Sequence, residues 1–318
     1  MTFKPHPLLR GAHRQTIYGA FGRRAPAFTT RVERFELPDG DFVDLEHLGP
    51  DTPYQPRAVL LHGLGGSAQS TYIRTLAATL SAEGWAVTLF QFRGASGPNR
   101  LPRTYHSGDT GDIALVLAAL RQRMGPDAKL TAVGFSMGGN VLLKLLGEQG
   151  ESSVINAAVA VSVPFRLAVC SDQLASGPSR VYGRYLIAGR LRALRSIRAL
   201  VAPHIDYQRA LTATDFRTLD GLVTAPLNDF ASAADYYERS SSLGYLQAVR
   251  RPTLILHALD DPFMTPSAVP SAGDLAPAIE LELHAHGGHV GFIERAPNGL
   301  PRSFIESRVA RWLRPFMG

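Results

Sequence analysis

The chain has 318 residues, 45% of them hydrophobic and 19% charged, with a net charge of +6 and a single cysteine, Cys170. That length and apolar content support one large core or two modest ones, and no segment has the composition of a disordered tail. One cysteine excludes an internal disulfide framework, nothing approaches the roughly 18 apolar residues that span a bilayer, and residues 1–10 lack the apolar run of a signal peptide, so a soluble, cytoplasmic protein is expected.

The cationic surplus is almost wholly arginine, since Lys4, Lys129 and Lys144 are the lysines. It is spread along the chain without zinc-ligand spacing or an aromatic-basic motif, so no nucleic-acid partner is expected. Residues 32–37 and 42–48 are partly alternating runs joined by Pro38-Asp39-Gly40-Asp41, a strong turn signal, and predict a β-hairpin. Apolar strand-like segments follow. Residues 58–62 precede a helix over about 71–83, and 86–92 lead through a long loop to a helix over about 110–124. Residues 130–135 lead into a helix over 141–148, and 155–162 form the next strand. After a long interruption come strands at 253–258 and 279–284 and a last helix over about 301–313. Eight strands, a hairpin followed by alternation with helices, predict an α/β fold with a mostly parallel sheet covered on both faces. The interruption is too long for a loop in a compact domain and contains helix-like pieces. The expected organisation is a core of residues 1–163 and 250–318 with an inserted helical lid at 164–249.

The chemistry centres on Gly134-Phe135-Ser136-Met137-Gly138, which lies between a strand-like and a helix-like run. A serine in so sharp a turn needs neighbours without Cβ atoms, and the turn lifts its hydroxyl above the sheet beside free N–H groups of the helix start. An acid and a base are then expected on loops after late strands. Leu259-Asp260-Asp261-Pro262-Phe263 follows the seventh strand and Gly287-Gly288-His289-Val290-Gly291 the eighth. The order Ser136, Asp261, His289 suits a nucleophile, an orienting acid and a general base. Asp261 is favoured over Asp260, which would brace the loop. His284 and His286 are rival bases at the alternating end of the last strand, and His62, His106 and His257 read as structural or substrate-side groups. An oxyanion hole needs two backbone donors. Met137 N–H supplies one, and the glycine-rich His62-Gly63-Leu64-Gly65-Gly66-Ser67 loop supplies the other through Leu64 N–H. The spacing of a phosphate loop is absent.

These segments resemble the YheT-like branch of the α/β-hydrolases, which includes the eukaryotic abhydrolase-domain esterases. The resemblance extends to Arg14-Gln15-Thr16, Phe92-Arg93-Gly94, Tyr105-His106-Ser107-Gly108-Asp109, Asn140, Thr224-Ala225-Pro226-Leu227, Asp235-Tyr236-Tyr237 and Phe292. It implies the α/β-hydrolase fold and a serine carboxylesterase with a lid, acting on short- to medium-chain acyl esters; some relatives act on phospholipids. An acyl-enzyme on Ser136 would be released by water activated by His289, with no metal or organic cofactor. A thioesterase or lysophospholipase using the same triad is the nearest alternative, and a non-catalytic ligand binder the next. Asp229 and its neighbours Asn228 and Phe230 replace the family's glycine-phenylalanine pair, so lid contacts differ. Arg184, Arg190, Arg192, Arg195 and Arg198 interleave with Leu186, Ile187, Leu191, Leu194 and Ile197 as a basic amphipathic helix. That helix either packs its apolar stripe over the core or makes weak interfacial contact with anionic lipid.

Overall fold

The computed structural model describes residues 3–317. Eight strands form one sheet: β1 (Arg31–Glu36), β2 (Phe42–Leu48), β3 (Arg57–Leu61), β4 (Ala86–Gln91), β5 (Leu130–Phe135), β6 (Ala157–Val161), β7 (Thr253–Ala258) and β8 (Ile279–His284). Their order across the sheet is β1-β2-β4-β3-β5-β6-β7-β8. β1 pairs antiparallel with β2, and β2 antiparallel with β4; the remaining pairings are parallel. The sheet is therefore mostly parallel, as the alternation predicts.

A strand with both faces covered is mostly apolar, and β3, β5 and β6 are, apart from Arg57 at the start of β3 and Thr131 in β5. Successive residues serve opposite faces. In β3, Ala58 and Leu60 pack towards α2 (Thr71–Ala82) and the C-terminal helix Phe304–Leu313, through Ile73, Leu76 and Val309. Val59 and Leu61 pack towards α3 (Gly111–Arg123) and α4 (Met137–Gln149), through Val116, Leu117, Val141 and Leu142. All eleven of these apolar side chains are essentially unexposed, and burying each contributes about 1–3 kcal/mol. Ahead of the sheet stands the short helix α1 (Ala12–Ile17).

Two expectations need correction. The last helix starts at Phe304 with Ser303 as its N-cap, because Pro301–Ser303 is a short strand paired with Ile293–Arg295. The connection from β7 to β8 holds two one-turn 3-10 pieces, Pro266–Ala268 and Ala272–Asp274, and no α-helix. Pro262, Pro266, Pro270 and Pro277 punctuate it too closely for one to propagate.

The 164–249 segment is helical. It includes α5 (Leu167–Leu174), α6 (Arg180–Ser196) and a helix at Ala233–Ser240. Ile187, Leu191 and Leu194 of α6 bury against Val201, Tyr207, Leu219 and Val223 in an apolar cluster of the segment's own. The final piece, Ser242–Ala248, lies along α4, with Leu246 packed on Leu143. The stripe of α6 thus faces inward, while Arg184, Arg192, Arg195 and Arg198 are exposed. Arg190 is half-buried, its guanidinium 4.9 Å from the Tyr105 ring centre.

Two glycines give opposite expectations. A Cβ on Gly134 would lie 2.4 Å from Gly138 O, whereas one on Gly189 of α6 meets nothing within 4 Å. Gly134→Ala is expected to lower the unfolding free energy by about 3 kcal/mol or more, and Gly189→Ala to raise it by about 0.5–1 kcal/mol. Urea unfolding of both variants checks this.

Candidate active site

Ser136 sits between the end of β5 and the first residue of α4 with φ 51° and ψ −120°. A non-glycine residue in that conformation carries roughly 1–3 kcal/mol of strain and persists only if its surroundings impose it. They do so from three sides. Its N–H donates to Val161 O at 2.8 Å. Gly134 approaches Gly138 as described, and a Cβ on Gly138 would lie 2.5 Å from His62 O. Asn140, wholly buried one turn into α4, donates to Ser107 O and Ser240 O, both at 2.7 Å, and accepts from Ser242 N–H at 3.0 Å. The serine is held by packing on both sides of the turn and by a buried amide tying its helix to the rest of the fold.

The structure brings Ser136, His289 and Asp261 together. Ser136 Oγ lies 3.0 Å from His289 Nε2, and His289 Nδ1 lies 2.8 Å from Asp261 Oδ2. The other carboxylate oxygen of Asp261 accepts from Phe263 N–H at 2.8 Å, which fixes its plane. The Asp261 side chain is 1% exposed and that of His289 9%. In so dry a site the carboxylate holds the imidazole in the tautomer whose Nε2 faces the serine hydroxyl. Asp260 points elsewhere, accepting from Gly288 N–H at 2.9 Å and meeting exposed His286 at 3.3 Å, so it braces the histidine loop. His284 pairs with Glu282 at 2.7 Å, away from the serine.

The glycine-rich loop runs beside the elbow, and a Cβ on Gly63 would be 3.2 Å from Ser136 Cβ. Gly63 N–H donates to the Tyr72 hydroxyl at 2.9 Å and Gly65 N–H to that of Tyr105 at 3.0 Å. Between them Leu64 N–H makes no hydrogen bond among the described residues, and neither does Met137 N–H at the start of α4. Both residues line a cavity of about 630 Å³ that Ser136 and His289 also face. Its walls are largely apolar, with Leu167, Leu174, Leu186 and Phe216 drawn from the 164–249 segment.

The remaining histidines are structural or lining. His62 Nδ1 donates to Gly63 O at 2.7 Å while Nε2 accepts from Phe92 N–H at 3.3 Å, and burial lowers its pKa to about 4. His106 accepts from Gly108 N–H, and burial lowers its pKa to about 3. Phe230 packs edge-on against His106 from the segment where the family's glycine-phenylalanine pair is replaced. His257 is wholly buried with neither ring nitrogen hydrogen-bonded among the described residues. Arg93 braces its loop through a bidentate pair with Asp112. Among the described residues, no group of three or more His, Cys, Asp or Glu side chains is arranged to hold a metal ion, and no helix is long and apolar enough to cross a membrane.

Sequence reasoning misses several residues around the relay. Thr16 Oγ1 accepts from His289 N–H at 2.9 Å. Gln15, wholly buried, accepts from Ile293 N–H and donates to Ile293 O at 3.0 Å and Leu9 O at 2.9 Å, pinning the N-terminal segment to the chain after the histidine. Phe263 stacks on the His289 ring at 3.8 Å and 7°. The one sequence signal was a Gln-Thr pair in a segment that precedes every strand.

A strained serine after β5, a late histidine paired with a late aspartate, and this strand order define an α/β-hydrolase. The sequence profile of the α/β-hydrolase fold matches residues 56–296, and the chain belongs to that family. Within it the chain groups with YheT, a candidate esterase of Escherichia coli (strain K12), to which it is 40% identical over 99% of this chain and 94% of that protein. It is 30% identical to mouse phospholipase ABHD3 over 88% of this chain and 70% of that one. Among solved structures, the Pyrococcus furiosus esterase Pf2001 superposes with a TM-score of 0.59 at 19% identity, covering 93% of this chain and 99% of that one, which shows the shared fold.

The buried histidines set an acid limit. Folded His62 stays neutral down to about pH 4, whereas an unfolded imidazole takes a proton near 6.5. Stability is therefore undiminished above pH 6.5 and falls as the pH drops towards 4. His62→Gln should flatten the slope of unfolding free energy between pH 6.5 and 4.5 by about 1.4 kcal/mol per pH unit, whatever its absolute stability. Urea titrations across that window measure it.

Proposed function

We propose that the chain is a serine carboxylesterase that cleaves short- to medium-chain acyl esters through an acyl-enzyme on Ser136. The observation that carries this reading is the Ser136–His289–Asp261 relay opening onto an apolar cavity. Ser136 Oγ attacks the ester carbonyl as its proton passes to His289 Nε2. The tetrahedral oxyanion is held by the unused N–H groups of Leu64 and Met137, aided by the N-terminal end of α4. Collapse breaks the bond to the alcohol, whose oxygen takes the proton from His289. Water then gives a proton to His289, attacks the acyl carbon and releases the carboxylic acid, returning the proton to Ser136. Asp261 remains ionised and stabilises the imidazolium at each step. The 164–249 segment acts as the lid, since it supplies much of the cavity wall and so sets which acyl groups fit.

Ser136→Ala is expected to lower kcat for p-nitrophenyl acetate by at least about 10⁴-fold, and Asp261→Asn by about 10³–10⁴-fold. Asp260→Asn is expected to change it less than about tenfold, since that carboxylate holds the loop and not the imidazole. Steady-state kinetics with all three variants decide the acid. A larger loss in Asp260→Asn than in Asp261→Asn would reverse the assignment. The same triad also serves thioesters and lysophospholipids. The apolar cavity of about 630 Å³ favours an acyl chain longer than acetyl. A chain-length series of nitrophenyl esters beside one acyl-CoA and one lysophospholipid ranks these substrates.

A further inference from the structure

The chain's charge is divided sharply along its length. Residues 1–32 and 173–205 contain no aspartate or glutamate, yet they carry twelve of the 33 lysines and arginines. The other residues hold 21 cations against all 27 acids and are net −6, so the +6 of the whole chain comes from these two segments alone. The two segments meet in space. His13 Nδ1 and the Tyr182 hydroxyl are 2.9 Å apart with their rings stacked, and the Phe21 and Tyr185 rings meet edge-on at 5.9 Å.

Where they meet, they form the rim of the cavity. Ile17 (51% exposed), Phe21 (68%), Val181 (71%) and Tyr185 (64%) all line it and all face solvent. Water around four large apolar side chains at the mouth of one cavity is costly, and such a patch marks a surface that another apolar phase covers. Arginines stand within a helical turn or a few residues of each: Arg14 before Ile17, Arg24 after Phe21, and Arg180 and Arg184 beside Val181 and Tyr185. These, with Arg192 and Arg195 further along α6, are exposed. The ion pairs of the described residues, from Arg23–Glu306 to Arg314–Glu83, use none of the six. Among the described residues, none of the six guanidinium groups has an acidic partner within ion-pair distance.

We propose that this rim docks on an anionic lipid surface, the four apolar side chains entering the acyl boundary and the unpaired arginines meeting the headgroups. Apolar residues ringed by cations that carry no acidic neighbours match an interface that is apolar inside and negative at its edge. A second copy of the chain does not fit, because a two-fold contact would set the basic rim against itself. The arrangement places the cavity entrance against the lipid, so an ester leaving the surface would enter towards Ser136. Only that last consequence rests on the ester-hydrolase reading; the docking does not.

Flotation of the full chain with vesicles tests the proposal. Binding is expected to phosphatidylcholine vesicles containing about 30% phosphatidylglycerol at about 0.05 M salt, with little to pure phosphatidylcholine and loss at about 0.5 M salt. The Arg180→Glu/Arg184→Glu/Arg192→Glu variant is expected to bind the anionic vesicles at least about tenfold more weakly while hydrolysing a soluble ester at the native rate. Phe21→Ser should weaken vesicle binding several-fold as well. Ser136→Ala protein should float like the native chain. No flotation, equal flotation with neutral and anionic vesicles, or native-like flotation of the triple variant would overturn the proposal. So would a concentration-dependent dimer abolished by the same triple variant, which would assign the rim to a second copy. A native chain that floats but hydrolyses no ester would sink the esterase reading and leave the docking intact.

Discussion

Ser136 occupies a backbone conformation that an L-residue avoids, and everything the site does depends on the fold keeping it there. The turn is tight because no Cβ intrudes at Gly134 or Gly138, so the start of α4 can close against the end of β3. It is fixed because the serine N–H is tied to β6 and Asn140 ties the helix to two distant carbonyls. With the serine fixed, its hydroxyl stands over the ends of the parallel strands. In such sheets the loops beyond those strand ends converge, so the acid and base need only short loops to arrive.

The acid and base are held by different means. Asp261 is fixed locally, accepting from Phe263 N–H two residues on. The histidine loop is fixed from a distance: Thr16 accepts from His289 N–H, Ser162 accepts from Val290 N–H, and Gln15 clasps Ile293. Positive φ at Val290 and Phe292 shows the same loop under imposed geometry. The N-terminal segment is thus part of the site's scaffold. It contributes at once to the support of His289 and to the cavity rim, which couples the position of that histidine to the mouth of the cavity.

The two oxyanion candidates illustrate a division of labour in the glycine-rich loop. Tyrosine hydroxyls from α2 and from the loop after β4 engage the N–H groups of Gly63 and Gly65, leaving the intervening Leu64 N–H for a ligand. Burial keeps His62 neutral beneath that loop, where it donates to one backbone group and accepts from another. A charged imidazole there would place a cation in a dry core, which burial disfavours.

The parts of this arrangement legible in the sequence were those written in local chain chemistry. Glycines two residues either side of a serine, carboxylates after one strand and a glycine-flanked histidine after another announce themselves within a few positions. The sheet was legible because apolar runs of strand length alternate with helical ones. Contacts such as Thr16 with His289, 273 residues apart, leave no such trace. Nor does the stacking of Phe263 on the imidazole, since a phenylalanine after proline reads only as a turn. The misplaced start of the last helix has a related cause. Pro301 looks like a first helical position, but pairing with Ile293–Arg295 takes that stretch into a strand and leaves Ser303 as the cap.

The central claim is that Ser136 is a nucleophile activated by His289 and Asp261. Its most direct measurement is peptide mapping by mass spectrometry after brief exposure to a fluorophosphonate. The account predicts a single phosphonyl adduct on the peptide containing Ser136, formed at least about a hundredfold more slowly in the folded Asp261→Asn protein. A folded native chain that takes up no phosphonate, or that carries it on another residue, would contradict it.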